Sequence, residues 1–445
     1  MQNRRLRCLF VAAALLVLTL SAVRATAQEQ IDIEIDKEGV FGIPIAIPPF
    51  IALEGASAAR ARDISTIVNS DISFSGDFFV FEDWRYPASF RRIPENPMHI
   101  QYDSWARQGA RYLVQGLYLE DTDKIHVRWR LIETRGRRQI LGYEYSGSRD
   151  MARSIAHRIA DEIVRTLTGT TGISQTKMAF VCQTGIAKEI WISDWDGYNA
   201  QQLTNHRSIT ACPAWSPDGK FIAYTSYGDN NPDLYTVSVT GRSTPRRISG
   251  FQGLNAAPAW SPQGGRIALT LSKDGNTELY LTDFFTGTFK RLTRNRALDS
   301  SPTFSPDGSQ IAFVSTRSGS PQIWAMNING TDLRRLSYQG GRSYDPAWSP
   351  AGDRIAYAVE RPGDGLEIYV MDANGRNAAR LTDTLGANEA PSWAPDGRHI
   401  AFCSTRSGRY EIFIMKDDGT DQRQITRLAG PCSSPDWSPY IVAGQ

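Results

Sequence analysis

The chain has 445 residues, of which 41% are apolar, so it can bury a large core and intrinsic disorder is excluded for most of its length. Lys and Arg (49) nearly balance Asp and Glu (47), and the net charge of +2 argues against nucleic acid as the main partner. At roughly 150 residues per domain, the length indicates two or three domains.

The first 27 residues have the pattern of a secretory signal peptide. Three arginines precede an uncharged apolar run at 8–18, and small residues ending at Ala27 follow. An uncleaved membrane anchor is the alternative, but the run is shorter than the about 20 residues that span a bilayer. We therefore expect export with cleavage after Ala27. No later stretch is long and apolar enough for direct membrane insertion.

The segment 28–40 contains an alternating run of β-branched and acidic residues. The run predicts a strand with its carboxylates on one face, formed by Ile31, Asp32, Ile33, Glu34, Ile35 and Asp36. Two readings remain open from the residues alone. The segment is either an edge strand of the next domain or a detachable strand that adds to a partner's open sheet edge.

Residues 41–170 predict a separate α/β domain. Runs with a period of two alternate there with apolar residues at helical spacing. The predicted strands are 43–50, 78–81, 112–116, 125–133 and 139–147, and the predicted helices are 57–69, 105–111 and 151–167. The last helix is capped by Gly169, and 168–176 is expected to link this domain to the remaining part, 171–445.

Residues 171–445 contain an internal repeat marked by the phrase P-x-[W/F]-[S/A]-P. Its six copies begin at prolines spaced 45, 44, 44, 45 and 44 residues apart. The residues between the phrases predict about four strands per repeat, which is the size of one β-propeller blade. Asn-Gly or Asp-Gly pairs at 196–197, 329–330, 374–375 and 418–419 predict two-residue hairpin turns.

The offset between phrases and repeats predicts a closed ring. The first repeat, 178–204, has no phrase before it, and the last phrase, 435–439, has no repeat after it. We therefore expect an α/β N-terminal domain followed by an all-β six-bladed β-propeller closed by the C-terminal strand. An open array would leave the last phrase unpaired. The recurring aromatic residues are expected to pack between blades: Trp215, Trp260, Phe304, Trp348, Trp393 and Trp437.

Four cysteines follow the predicted cleavage point: Cys182, Cys212, Cys403 and Cys432. Export exposes them to an oxidising compartment, so one or two disulfides are expected, with three possible full pairings. No C-x-x-C pair is present, which makes a redox role unsupported.

The motifs of common enzymes are missing from the sequence. There is no G-x-S-x-G elbow, no phosphate-binding glycine motif, and no zinc spacing among the five histidines. Two acidic stretches, 194–197 and 417–419, faintly resemble calcium loops, but both fall at predicted hairpin turns. We therefore predict no enzyme activity and no catalytic, cofactor-binding or metal-binding residue.

Several stretches resemble the TolB family, the periplasmic component of the Tol–Pal system. They are I-E-I-D at 33–36, P-I-A-I-P-P-F at 44–50, V-C-Q-T at 181–184, I-S-D-W-D-G-Y-N at 192–199, the repeated phrases, and P-D-W-S-P-Y at 435–440. The resemblance implies an α/β domain followed by a six-bladed propeller. It also implies a periplasmic location and a role in outer-membrane integrity and in constriction during cell division.

The resemblance implies two protein partners. One is the inner-membrane protein TolA, bound through the strand at 31–36. The other is the outer-membrane lipoprotein Pal, bound by loops at one mouth of the ring. The matching positions are Leu254, Asn255, Ala257, Ser300, Tyr344, Asp345 and Glu389. A periplasmic propeller that binds peptidoglycan or sugar is the alternative function.

Overall fold

The computed structural model describes residues 42–87, 100–240, 244–361, 363, 365–384 and 386–441. The predicted signal peptide and the predicted strand at 31–36 lie outside these residues. Within them, no helix has the length and hydrophobicity required to cross a bilayer.

The N-terminal domain is a mixed sheet covered by helices. Its strands are β1 (Ile43–Ala46), β2 (Ile51–Ala52), β3 (Phe78–Val80), β4 (Tyr112–Glu120), β5 (Ile125–Glu133) and β6 (Arg138–Gly147). Its helices are α1 (Ala58–Ser75), α2 (Tyr102–Arg107) and α3 (Ala152–Thr168). The sheet order is β3-β1-β4-β5-β6, and β2 pairs with β4. Helices α1 and α3 pack together on one face over a core that includes Val114, Val127 and Trp129.

Several predicted elements of this domain differ in extent; β4, for example, continues four residues beyond the predicted end at 116. The predicted strand 43–50 already ends at Ala46, because the two prolines that follow lack the N–H groups that a sheet requires, and β2 begins only at Ile51. Helix α1 continues six residues beyond the predicted end, since Ile72 and Phe74 are buried, and it stops at Gly76 with φ 79°. Helix α2 ends at Arg107, before the predicted residue 111.

The remaining strands form six four-stranded sheets. Blade 1 is β30 (Cys432–Trp437), β7 (Lys177–Thr184), β8 (Ala187–Asp194) and β9 (Gln201–Gln202). Blade 2 is β10 (Thr210–Trp215), β11 (Phe221–Ser226), β12 (Asp233–Ser238) and β13 (Arg246–Ser249). Blade 3 is β14 (Asn255–Trp260), β15 (Arg266–Leu271), β16 (Glu278–Asp283) and β17 (Phe289–Arg291).

The other three blades repeat this arrangement. Blade 4 is β18 (Asp299–Phe304), β19 (Gln310–Ser315), β20 (Gln322–Asn327) and β21 (Arg334–Arg335). Blade 5 is β22 (Arg342–Trp348), β23 (Arg354–Arg361), β24 (Gly365–Asp372) and β25 (Ala379–Arg380). Blade 6 is β26 (Asn388–Trp393), β27 (His399–Ser404), β28 (Glu411–Lys416) and β29 (Arg423–Gln424).

The ring closes through blade 1, as predicted, and an open array is excluded. Strand β30 pairs antiparallel with β7, with Cys432 opposite Cys182 and Trp437 opposite Met178. Those two cysteines form a disulfide across 250 residues of sequence, whereas Cys212 and Cys403 are free thiols, so these four cysteines form one disulfide and not two. The last and first strands of the propeller are therefore joined both by hydrogen bonds and by a covalent bond.

The recurring aromatic residues lie between neighbouring blades. Trp215, Phe304, Trp393 and Trp437 are buried, which confirms the packing role for these four, and Trp260 and Trp348 are half-buried. The indole N–H groups of Trp260 and Trp393 donate to carbonyls of the preceding blade, Ala214 O at 3.2 Å and Ala347 O at 3.0 Å.

The predicted two-residue turns are longer in the structure. After β8, Gly197 N donates to Asp194 O at 2.9 Å and Asp194 N donates to Tyr198 O at 2.8 Å. Only the glycine of each Asn-Gly or Asp-Gly pair has a positive φ, whereas a two-residue type I′ turn requires it at both central positions. The aspartate side chain stabilises the turn by accepting a hydrogen bond: Asp418 Oδ1 accepts from Thr420 N at 2.9 Å.

The α/β domain packs against blades 1 and 6. Phe74, near the end of α1, stacks on Trp195 with ring centroids 4.9 Å apart. The carbonyl of Phe74 lies 2.9 Å from His399 Nε2, and Arg398 Nη1 donates to Asp77 Oδ2 at 2.8 Å. Trp195 lies in the turn between the two outermost strands of blade 1, and Arg398 lies in the turn between the two innermost strands of blade 6. The α/β domain therefore covers part of one face of the ring, which we call the domain face.

Candidate docking face of the propeller

The opposite face, which we call the free rim, is where the six innermost strands begin. These strands are β10, β14, β18, β22, β26 and β30, and each contacts the next around the ring. On the free rim they are preceded by loops from the outermost strand of the previous blade. Leu254, in one such loop, contacts the turn between β15 and β16. Its N–H donates to Ser272 Oγ at 2.8 Å, and its carbonyl accepts from Ser272 N at 3.1 Å.

Each innermost strand contains the same β-bulge next to the proline of the repeated phrase. The residue before that proline has a positive φ of 49° to 52° in all six blades: Cys212, Ala257, Ser301, Asp345, Ala390 and Ser434. The pairing register shifts at the same place in every blade. A β-bulge changes the direction of nearby side chains. Because the same bulge recurs in all six blades, the residue before the proline has the same backbone conformation in each blade.

The first residue of five of the six innermost strands is buried in its blade; in β22 the first residue, Arg342, is exposed and the second, Ser343, is buried. Asn255 is fully buried; its Oδ1 accepts from Ser249 Oγ at 2.6 Å and from Phe251 N at 3.1 Å, and its Nδ2 donates to Phe251 O at 2.7 Å. Asp299 is buried likewise and receives the Arg317 guanidinium at 2.7 Å. Asn255 therefore shapes the loop at 249–253, and we do not expect its side chain to contact a partner.

The other six predicted positions are partly accessible at the free rim. They are Leu254, Ala257, Ser300, Tyr344, Asp345 and Glu389, and they come from blades 3 to 6. Tyr344 is oriented by its hydroxyl, which donates to Glu360 Oε2 on the adjacent strand at 3.3 Å. The structure thus brings these six residues to one end of the channel, and Asn255 lies beneath them.

Carboxylates and thiols of different blades interact electrostatically across the channel. Enclosure by protein, with the nearby charge of Glu389, raises the pKa of Asp345 to about 6. Enclosure and the Asp345 carboxylate raise the pKa of the Cys212 thiol to about 11, although Cys212 reaches solvent. Burial, followed by the charge of Glu389, raises the pKa of Tyr410 to about 12. This end of the channel therefore favours a partner that supplies positive charge or hydrogen-bond donors.

The sequence did not predict that apolar side chains would be exposed on the loops of the free rim. Six of them belong to this face: Ile186, Ile209, Tyr227, Phe251, Leu298 and Tyr338. Ile186 is 98% exposed and Tyr338 is 63% exposed, so both side chains are accessible to a partner. The available signal was an apolar residue inside each of several otherwise polar loops.

One group of described side chains has the composition of a metal site, and it lies elsewhere. His157, Asp194 and Asp196 offer ligand atoms within 4.8 Å of one another where α3 meets blade 1. No residue of the free rim belongs to this group.

Comparisons with known proteins agree with this architecture. Residues 164–361 and 340–441 match the family described as TolB beta propeller domain, and residues 31–140 match the TolB amino-terminal domain. The crystal structure of TolB from Acinetobacter baumannii superposes with a TM-score of 0.77 at 29% identity, covering 90% of this chain and 98% of that one.

Two curated relatives are similar over part of their length. The Tol-Pal system protein TolB of Nitrosomonas europaea is 34% identical over 246 residues, which is 55% of this chain and 55% of that protein. The corresponding protein of Desulfosudis oleivorans is 37% identical over 234 residues, or 52% of this chain and 53% of that protein. The chain thus matches about half the length of these relatives.

Proposed function

The chain belongs to the TolB family, and on this premise we propose that it is the periplasmic scaffold of a Tol–Pal system. In this role it has no catalytic activity and links two partners. The strand at 31–36 binds TolA, and the free rim binds Pal. The linkage supports outer-membrane integrity and constriction during cell division.

The apolar, uncovered free rim is the observation that supports the docking role. Its exposed side chains lie on loops of the same face as Leu254, Tyr344 and the Asp345–Glu389 pair, so this face offers both apolar contact and hydrogen-bond acceptors. Interfaces of this kind derive most of their affinity from a few such aromatic and aliphatic anchors. The described residues of the α/β domain that contact the propeller do so on the other face.

The two binding sites are proposed to be coupled. When Pal occupies the free rim, the strand at 31–36 packs onto the body, and when Pal leaves, the strand becomes available to TolA. Linkage requires that any factor by which Pal changes TolA affinity equals the factor by which TolA changes Pal affinity.

Deleting residues 28–40 tests the assignment of the two sites. We expect the deletion to abolish TolA binding in isothermal titration while Pal affinity stays within about twofold, or changes only by the coupling factor measured in the parent chain. Retained TolA binding would exclude the strand as its site. Retention of the parent chain on isolated peptidoglycan, with no Pal binding, would instead favour the sugar-binding alternative.

A further inference from the structure

A cluster of charged side chains joins α3 to the turn after β8, between the two domains. It consists of Asp71, Arg153, His157, Asp194 and Asp196, which we call the interdomain cluster. His157 is 3% exposed, Asp71 4% and Asp194 7%, so these groups are held away from water. Buried charges of this kind require partners.

The two ring nitrogens of His157 have unequal surroundings. Nδ1 lies 2.6 Å from Asp71 Oδ2, so its role is fixed by a carboxylate on α1. Nε2 is enclosed and has no hydrogen-bond partner among the described residues. A histidine whose one nitrogen is held by a carboxylate and whose other nitrogen is free has the arrangement of a metal ligand with its supporting carboxylate.

The two propeller carboxylates complete a set of three ligands. A nitrogen of His157 and oxygens of Asp194 and Asp196 all lie within 4.8 Å of one another. Zinc binds such N and O ligands at about 2.0–2.2 Å, so ligands on one tetrahedral ion lie about 3.4 Å apart. The cluster therefore has to contract by about 1 Å, which rotation of the partly exposed Asp196 side chain can supply.

Two cations already touch the carboxylates. Arg153 contacts Asp196 and has its Nε 3.6 Å from Asp194 Oδ2, and Lys177 contacts Asp194. Arg153 Nε also lacks a hydrogen-bond partner within the described part of the chain, so the guanidinium only partly satisfies the site.

Arg153 has a second place to bind if it leaves the carboxylates. Its Cζ lies 3.8 Å from the ring centroid of Tyr198, whose side chain is 57% exposed. A cation over an aromatic ring retains favourable energy there. An incoming divalent ion can therefore displace the guanidinium from Asp194 and Asp196 without leaving it isolated.

We propose that His157, Asp194 and Asp196 bind a zinc ion between the domains, with Asp71 as the residue that positions His157. A mixed nitrogen and oxygen set of three side chains suits zinc better than calcium or magnesium, which take six or more oxygens. The ion connects α3 of the α/β domain to blade 1. This site is independent of the free rim and of the proposed Tol–Pal role.

Zinc titration of the full, untagged chain by calorimetry tests the proposal. We expect one ion per chain, a loss of at least 100-fold in affinity for His157→Gln, and a loss of about 10–100-fold for Asp71→Asn. Arg153→Ala is expected to increase the affinity, because it removes the competing cation. His126→Gln, on β5 of the α/β domain, is the matched control and should bind like the parent chain.

Cobalt absorption supplies a readout besides affinity. The parent chain loaded with Co²⁺ should show visible d–d bands that Asp196→Asn, a partly exposed position, removes without unfolding the chain. The proposal is overturned if neither the parent chain nor Arg153→Ala binds zinc. It is also overturned if His157→Gln and Asp196→Asn both bind zinc as the parent does.

Discussion

At the scale of single residues, Asp436 shows how one carboxyl group connects three blades. Its Oδ2 accepts from Trp215 N in blade 2 at 2.7 Å, and its Oδ1 accepts from Ser392 Oγ in blade 6 at 3.2 Å, while Asp436 itself belongs to blade 1. Burial raises the pKa of this carboxyl from 3.8 to about 6. The raised pKa means that the folded state retains a proton that the unfolded state has released.

This retained proton predicts a pH dependence of stability. Between pH 3.8 and about 6 the folded state binds more protons at Asp436, so its contribution to stability falls as pH rises through that window. We expect Asp436→Asn to become more stable relative to the parent chain by about 1–3 kcal/mol between pH 4 and 7, measured by urea unfolding. Asp383→Asn, at a position 91% exposed, is the control. A stability difference that stays constant across this range would contradict the assignment.

Which individual side chains are buried is also what the sequence predicted least well. Leu254 and Asn255 are adjacent in the predicted site, yet only Leu254 is accessible, because the Asn255 carboxamide binds its own loop. That distinction depends on backbone groups at 249–253, which no side-chain pattern encodes. The unpartnered nitrogen of His157 was likewise unpredictable, because its neighbours come from parts of the chain more than 30 residues away.

At the scale of elements, the repeats made the strands predictable. The regular spacing of the repeated phrase placed all six blades, and the offset between phrases and repeats correctly predicted that β30 completes blade 1. Turn geometry was predicted less well: the glycines have the positive φ expected, but the bulged turns are longer than two residues. The disulfide pairing followed only from the register of β30 against β7.

The disulfide between these two strands predicts that the stability of the propeller depends on the redox state of Cys182 and Cys432. Cross-linking residues 250 apart restricts the unfolded chain, and such bonds contribute about 2–5 kcal/mol. We expect Cys182→Ser with Cys432→Ser, or a reductant, to lower the thermal midpoint of propeller unfolding. Cys212→Ser, which removes a free thiol, should leave the midpoint unchanged. An unfolding midpoint unaffected by the reductant would show that strand pairing alone closes the ring.

At the scale of the whole molecule, the two faces of the ring have different roles. The domain face is partly covered by α1 and α3, whereas the free rim presents bulged strand ends and exposed apolar loops. Closure is what allows this division, because a closed ring leaves only short, protected sheet edges and offers its two faces as its main surfaces. The proposed function depends on Pal recognising the free rim.

Titration of soluble Pal against variants of the two faces tests this dependence most directly. Leu254→Asp and Tyr338→Asp place a charge on the free rim, and Phe285→Asp places the same charge at a 75% exposed aromatic in a turn on the domain face. We predict at least about tenfold weaker Pal binding, or 1.4 kcal/mol, for both rim variants, and affinity within about twofold of the parent chain for Phe285→Asp. Undiminished Pal binding by both folded rim variants would contradict the account.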